Sequence, residues 1–157
     1  MKQIITHADP DLDAIVSAWM AQDFLFRESE SEVLFVSRKV PEKFMLHADC
    51  VVDVGNTYSP ENYRFDHKPP AFQNRNSTCA TRLIWEYLID IGVDVAHLEP
   101  LVQITYQGDT HRNSEALKQS RIDGPHAELM KLKTEHKETT EVYRQMVLWL
   151  RSYTKNL

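Results

Sequence analysis

The chain has 157 residues, of which 42% are hydrophobic and 26% are charged. These values are typical of one globular domain with a buried core, and they exclude a large two-domain enzyme, a collagen-like fibre and a wholly disordered chain. The net charge of −5 argues against a general nucleic-acid coat protein. We find no secretory signal and no apolar run near the ~18 residues of a membrane span, so we expect a cytoplasmic protein in which Cys50 and Cys79 are reduced.

Strand and helix patterns alternate in the first half of the chain. A β-rich run at 3–6 ends in a polar turn, and a helix is predicted from Asp11 or Leu12, where apolar residues begin to recur with helical spacing. Further β-rich runs follow at 33–37 and at 50–55, and the second is the continuous apolar run of a parallel strand buried on both faces. The order predicts an α/β fold with a mainly parallel sheet flanked by helices.

Helical patterns dominate the second half. Residues 56–76 carry three prolines and little periodicity, which predicts a long loop, and loops of that length are usually functional or disordered. Helices are expected at 77–91, ended by a glycine, and at about 96–106. After a Gly-Pro break, the pattern predicts one long, charged C-terminal helix from about His126 to Tyr153, whose mixed charges are typical of a solvated face.

Carboxylates and imidazoles recur where strands are predicted to end. Four stretches carry them: His7 with Asp11 and Asp13, then Asp53, then Asp66 with His67, and then Asp109. Ligands of an open parallel sheet bind at the carboxyl ends of its strands, so we expect these stretches to meet in one cleft. So many carboxylates repel each other unless a cation lies among them. A divalent metal is the simplest such cation, and the mixed ligand set suits Mn, Mg, Fe, Co or Zn.

These motifs resemble those of the DHH phosphoesterase superfamily, over about Met1 to Thr110. The first family motif is a His followed four and six residues later by Asp, as in the stretch His7-Ala8-Asp9-Pro10-Asp11-Leu12-Asp13. The others are an Asp at the end of a hydrophobic strand, an Asp-His-His triplet and a later Asp, here Asp53, Asp66-His67-Lys68 and Asp109. The motifs are closest to the branch that contains eukaryotic RNA exonucleases.

The resemblance implies a centre with two divalent metal ions, for which we expect manganese, with Mg, Co or Fe as alternatives. One ion would bind His7, Asp11 and Asp53. The other would bind Asp13, Asp53, His67 and Asp109, so that Asp53 bridges the pair. Asp66 would orient the His67 ring, and a water between the ions would lose a proton and attack phosphorus. The implied activity is phosphohydrolysis of a nucleotide or short oligonucleotide.

Lys68 stands where the family has its second His, which contacts the phosphate. An ammonium can hold phosphate but transfers protons poorly near neutrality, so we expect phosphate binding to survive and turnover to fall. Lys68 and Asp66 are the predicted catalytic residues. One alternative is a catalytically weak or inactive metal- or nucleotide-binding module. Another is an inorganic pyrophosphatase, which is disfavoured because a second domain that would enclose a small substrate is not expected.

The expected organisation is a single domain over 1–157, with a motif-bearing α/β part at 1–110 and a helical part at 111–157. Substrate contacts would come from the C-terminal helix or from a second copy in a homo-oligomer, and no membrane is expected as a partner. Arg75, His111 and Arg112 are candidates for binding the phosphorylated small molecule or oligonucleotide. Each also fits an ordinary loop or helix-start residue, as Asp11 alone would fit a helix N-cap.

Overall fold

The sheet has five strands and is mostly parallel, as expected. A computed structural model describes residues 1–39 and 42–157. The strands are β1 (Lys2–His7), β2 (Ser31–Val36), β3 (Cys50–Val52), β4 (Tyr58–Ser59) and β5 (Arg64–Phe65). They lie in the order β2-β1-β3-β5-β4, and every neighbouring pair is parallel except β4 with β5. The predicted loop at 56–76 therefore contributes two short strands to the sheet.

A short helix at Glu42–Leu46 was not predicted, whereas the other helices of the first two thirds of the chain follow the predicted order. In chain order, the helices are α1 (Leu12–Met20), continued by a π-helical turn at Ala21–Leu25, then α2 (Glu42–Leu46), α3 (Ala80–Asp90) and α4 (Glu99–Asp109). Asp11 caps α1 by accepting the backbone N–H of Ala14 at 3.0 Å. Gly92 follows α3 with a φ of +82°, a conformation that glycine adopts without strain.

The prediction of a single long C-terminal helix from about His126 to Tyr153 is wrong. The segment forms α6 (Pro125–Glu135) and α7 (Thr139–Tyr153), preceded by an unpredicted α5 (Glu115–Asp123). The backbone is extended at His136 and Glu138, with ψ angles of 134° and 123°, and this reverses the chain. The reversal lets α6 pack against both α5 and α7. No glycine or proline marks it, so the sequence pattern runs through the break.

One hydrophobic core joins the N-terminal and C-terminal parts of the chain. Ile4, Val52 and Phe65 project from the sheet into a cluster with Trp19 of α1 and Leu150 of α7. On the opposite face, a smaller cluster consists of Ile5, Ala48, Val51 and Val54. Cys50 and Cys79 are both buried and free. No described helix has the length and apolar character that a membrane-spanning segment needs.

Polar contacts also hold the C-terminal helices to the beginning of the chain. The Lys133 ammonium of α6 lies 3.0 Å from the Asp9 carboxylate. In α7, Arg151 makes a two-pronged ion pair with Asp23, with both N···O distances at 2.7 Å. The first contact joins α6 to the loop between β1 and α1, which carries the first sequence motif, and the second joins α7 to the π-helical turn.

Candidate metal centre

Strand register brings three of the four motifs to one edge of the sheet. Val52 pairs with Phe65 in parallel register, so the residues that follow them, Asp53 and Asp66, leave the sheet side by side. Because β1 and β3 are also parallel neighbours, His7 at the end of β1 lies next to Asp53. Asp53 adopts a φ of +55°, a left-handed conformation that ends the strand.

Helix α1 supplies two further carboxylates from its first turn. Asp11 is the N-cap, and its side chain is about half exposed. Asp13 is fully buried, and its two oxygens accept the backbone N–H groups of Ala80 and Thr81 at 3.0 and 2.8 Å. The beginnings of α1 and α3 thus hold Asp13 in a fixed orientation, where the helix dipoles favour its negative charge.

The first possible metal-binding group consists of His7, Asp11 and Asp53. The Nε2 atom of His7 lies 3.0 Å from Oδ2 of Asp53 and 3.9 Å from Oδ1 of Asp11. The Nδ1 atom lies 2.9 Å from the carbonyl oxygen of Ala8, which fixes the ring with Nε2 towards the carboxylates. Burial opposes a charged imidazole, but the Asp53 carboxylate outweighs it and raises the pKa of His7.

The second group consists of Asp13, Asp53 and His67, with Asp109 beside it. The Nε2 atom of His67 lies 3.3 Å from Asp109, 3.5 Å from Asp53 and 3.9 Å from Asp13. Its Nδ1 atom lies 2.5 Å from the carbonyl oxygen of Arg75. Among the side chains that the structure describes, three atoms are buried without a hydrogen-bond partner: Oγ1 of Thr6 and, within this group, Nε2 of His67 and Oδ2 of Asp109.

The unpartnered atoms of His67 and Asp109 fit a metal site. A buried polar atom without a partner costs about 1–3 kcal/mol, and a divalent ion that bound both atoms would remove that cost. The crowding of carboxylates also favours a bound cation at this position. Burial and the Asp53 charge raise the pKa of Asp13 well above its usual range and that of Asp109 to about 6.

Lys68 occupies the centre as a built-in cation. Its Nζ atom donates to Oδ1 of Asp53 at 2.5 Å, to the carbonyl oxygen of Asp53 at 3.0 Å and to Oδ1 of Asp66 at 2.9 Å. All three N–H groups of Lys68 are therefore engaged. Burial alone would raise the pKa of Asp53, but His67, His7 and Lys68 outweigh it and hold that pKa below its usual range.

Asp66 does not orient the His67 ring, contrary to expectation. Its carboxylate accepts the backbone N–H groups of Asn56 and His67, both at 2.8 Å, as well as the Lys68 ammonium. The carbonyl oxygen of Arg75 takes the orienting role instead, because it is the acceptor that faces Nδ1 of the ring. Asp66 therefore fixes the loop after β5 and places Lys68 against Asp53.

Asp109 also lies in a different element from the one expected. It is the last residue of helix α4 rather than the end of a strand, and the packing of α4 on α1 brings it to the centre. Next to it lies a cavity of about 320 Å³, which Arg75 and His111 help to line. The residues around that cavity do not include Arg112, whose guanidinium stacks 5.1 Å above the ring of Tyr106.

Two residues near the centre were missed from the sequence. Arg38 follows β2, and its Nη2 atom lies 3.2 Å from Nε2 of His7. Its position just after a strand, at the same sheet edge as His7, was a usable signal. His126, on α6, lines the same 320 Å³ cavity as Asp109. Nothing in the spacing of His126 indicated this, because the packing of α6 brings it there.

The motif residues thus come together, whereas sequence and structure comparisons add no relative. No family model matches this chain, and no match was found among curated proteins or among solved structures.

Proposed function

We propose that the protein is a two-metal-dependent phosphohydrolase that cleaves a phosphoester. The observation that supports this most directly is that Asp53 belongs to two groups of metal-binding side chains at once, one with His7 and one with His67. A carboxylate shared in this way suits a pair of neighbouring ions. The unpartnered atoms of His67 and Asp109 support the same proposal.

Several residues would hold the two ions. His7, Asp11 and Asp53 suit the first, and Asp13, Asp53, His67 and Asp109 suit the second. Manganese is the ion we propose, and two such ions supply positive charge for phosphoryl oxygens and lower the pKa of water. The backbone holds the imidazoles in place through the carbonyl oxygens of Ala8 and Arg75. The ligands are therefore oriented before any substrate arrives, which limits the cost of ordering them.

Cationic groups surround the carboxylates and suit a phosphorylated substrate. Arg38 lies over His7, and Arg75 and His111 line the cavity beside Asp109. The guanidinium groups of Arg38 and Arg75 provide the local positive charge that an anionic substrate needs in a chain of net charge −5. A nucleotide or short oligonucleotide is the substrate that the DHH resemblance suggests, and that part of the proposal rests on analogy.

A metal- or nucleotide-binding module without turnover is the second candidate. The observation in its favour is that all three N–H groups of Lys68 donate hydrogen bonds to Asp53 and Asp66. In this arrangement its ammonium stabilises the protein's own carboxylates instead of a phosphate. The two candidates differ in turnover and agree in metal binding.

The test measures metal content and turnover together. Protein loaded with Mn²⁺ and passed through a desalting column is expected to retain two ions per chain by elemental analysis. Asp53→Asn is expected to retain none, because the shared ligand is lost from both groups. Asp49→Asn is the control, since Asp49 pairs with Lys2 away from the centre and its loss should leave two ions bound.

Turnover is then measured on a generic phosphodiester, short RNA, short DNA and pyrophosphate. Hydrolysis of an ester that requires Mn²⁺ and is lost in Asp53→Asn is the expected result. Wild-type protein that retains no Mn²⁺ would refute the metal centre itself. Two bound ions without turnover of any of the four substrates would favour the binding module.

A further inference from the structure

Two cavities meet at the carboxylate centre and share the side chains of Asp11, Leu12 and His126. The first is the 320 Å³ cavity beside Asp13 and Asp109. The second, of about 510 Å³, runs along α6. Both volumes lie in the range of small-molecule sites, about 300–1,000 Å³. The three shared side chains make the two cavities direct neighbours, so a ligand bound in the first lies beside the second.

The two cavities differ in chemical character. Three carboxylates, Arg75 and His111 line the first. The second is lined in part by apolar side chains, Ala127, Leu129 and Met130, together with Arg121 and Lys133. Met130 is 65% exposed, so its side chain offers an apolar surface outside the core. A ligand that filled both cavities would have a charged end and an apolar end.

His126 stands at the junction and is held in one orientation. Ser120 Oγ accepts the backbone N–H of His126 at 3.3 Å and lies 2.8 Å from Nδ1 of its ring. We assign the hydroxyl proton to the Nδ1 contact and the ring proton to Nε2, because the Ser120 hydroxyl then donates one hydrogen bond and accepts one. Burial and the Arg121 charge lower the pKa of His126 to about 4, so the ring is neutral at pH 7.

Gly108 leaves room for this imidazole. A Cβ atom at position 108 would collide with Nε2 of His126, so any larger residue would displace the ring. The close approach places the N–H of the ring next to the end of α4, one residue before Asp109.

We propose that the substrate is a phosphorylated molecule with an uncharged apolar organic group, which binds against Leu129 and Met130 while its phosphate lies at the carboxylate centre. His126 donates from Nε2 to a phosphate oxygen at the junction. This inference rests on the proposed function and narrows its substrate class to organic phosphoesters. Inorganic pyrophosphate has no apolar part that would fill the second cavity, so the pyrophosphatase alternative is disfavoured.

Two phosphonates that differ only in their organic group test the inference. Methylphosphonate and phenylphosphonate carry the same head group, and both are dianions when the titration is run above their second pKa. Their carbon–phosphorus bond resists phosphoester hydrolysis. Calorimetric titration in the presence of Mn²⁺ is expected to show phenylphosphonate binding at least fivefold more tightly. Met130→Ser is expected to remove most of that difference and to leave methylphosphonate affinity within twofold. His126→Leu is expected to weaken both ligands several-fold.

Ile122→Ser is the matched control. Ile122 is an apolar residue of α5 that is 73% exposed and lines neither cavity, so its loss should change neither affinity. Equal wild-type affinities for the two phosphonates, or a preference for phenylphosphonate that survives unchanged in Met130→Ser, would overturn the inference. Retained binding of Mn²⁺ and methylphosphonate would then leave the proposed function standing. Wild-type protein that binds neither Mn²⁺ nor any phosphonate would refute both.

Discussion

Replacement of Lys68 by methionine tests whether this lysine stabilises the carboxylate centre. The Lys68 side chain is only 14% exposed, and its ammonium contacts two carboxylates that are 2% and 0% exposed. Lys68→Met leaves Asp53 and Asp66 with less compensating charge. Removing one partner of a buried ion pair typically costs about 3–5 kcal/mol. For a chain of this size, that loss corresponds to a decrease in Tm of roughly 6–20 °C.

The assay is thermal unfolding of metal-free protein, followed by circular dichroism. Lys2→Met is the matched control, since Lys2 makes an ion pair with Asp49 at 2.8 Å but is 44% exposed. Exposed ion pairs contribute little to stability, so this variant should unfold close to the wild-type temperature. With Mn²⁺ at saturation, the difference between Lys68→Met and wild type should shrink by more than half, because bound ions neutralise the same carboxylates.

A metal-free Lys68→Met protein that unfolds within about 2 °C of wild type would refute the idea that Lys68 stabilises the centre. An equal deficit with and without Mn²⁺ would show that bound ions do not neutralise the carboxylates that Lys68 contacts.

Three further predictions concern single groups at the centre. Asp11→Asn and Asp13→Asn should each retain one Mn²⁺ per chain by elemental analysis, because each removes a ligand from one group only; retention of two ions would refute the assignment. Lys68→His should raise Mn²⁺-dependent phosphoesterase activity if the second family His is what this chain lacks, and unchanged or lower activity would mean that Lys68 suits its own substrate. His126 is faced by Arg121 and by the cavity carboxylates Asp11 and Asp109. Its pKa is about 4 in the folded state and 6.5 in the unfolded state, so between these pH values the unfolded chain binds more protons than the folded chain. Stability should therefore fall by about 1–2 kcal/mol as pH decreases from 6.5 towards 4.5, after allowance for partial solvent exposure. His126→Leu should flatten this decrease in urea titrations, and an identical pH dependence in the variant would contradict the buried neutral ring.

Much of the fold was predictable because strong local signals mark its central elements. The strand before His7, the helix that begins at Leu12 and the apolar strand before Asp53 were all expected, and the structure confirms them. Strands β4 and β5 were not, since two residues carry no periodicity and owe their conformation to pairing with neighbours. The break at His136 depends on how three helices pack, which no local residue pattern records.

The meeting of the motif residues was predictable where these residues lie at the carboxyl ends of neighbouring parallel strands. His7, Asp53 and His67 meet for that reason. Asp109 reaches the same place from a helix, and the role of Arg75 in orienting His67 belongs to its carbonyl oxygen, which every residue has. Side-chain chemistry in a sequence cannot indicate a contact of that kind. Arg38 was missed although its position after a strand was a usable signal, whereas His126 reaches the centre through the packing of α6, which no local pattern records.

The contacts of the C-terminal helices have a practical consequence for shortened forms of the protein. All the motif residues lie before Thr110, so a fragment that ends there would contain every proposed metal ligand. That fragment would lose Leu150 and Met146, which cover the buried face around Trp19, as well as the Lys133 contact to Asp9. An apolar helix face exposed to water favours aggregation. Truncation is therefore unsuitable for isolating the centre, and point substitutions in the 157-residue chain are the appropriate tool.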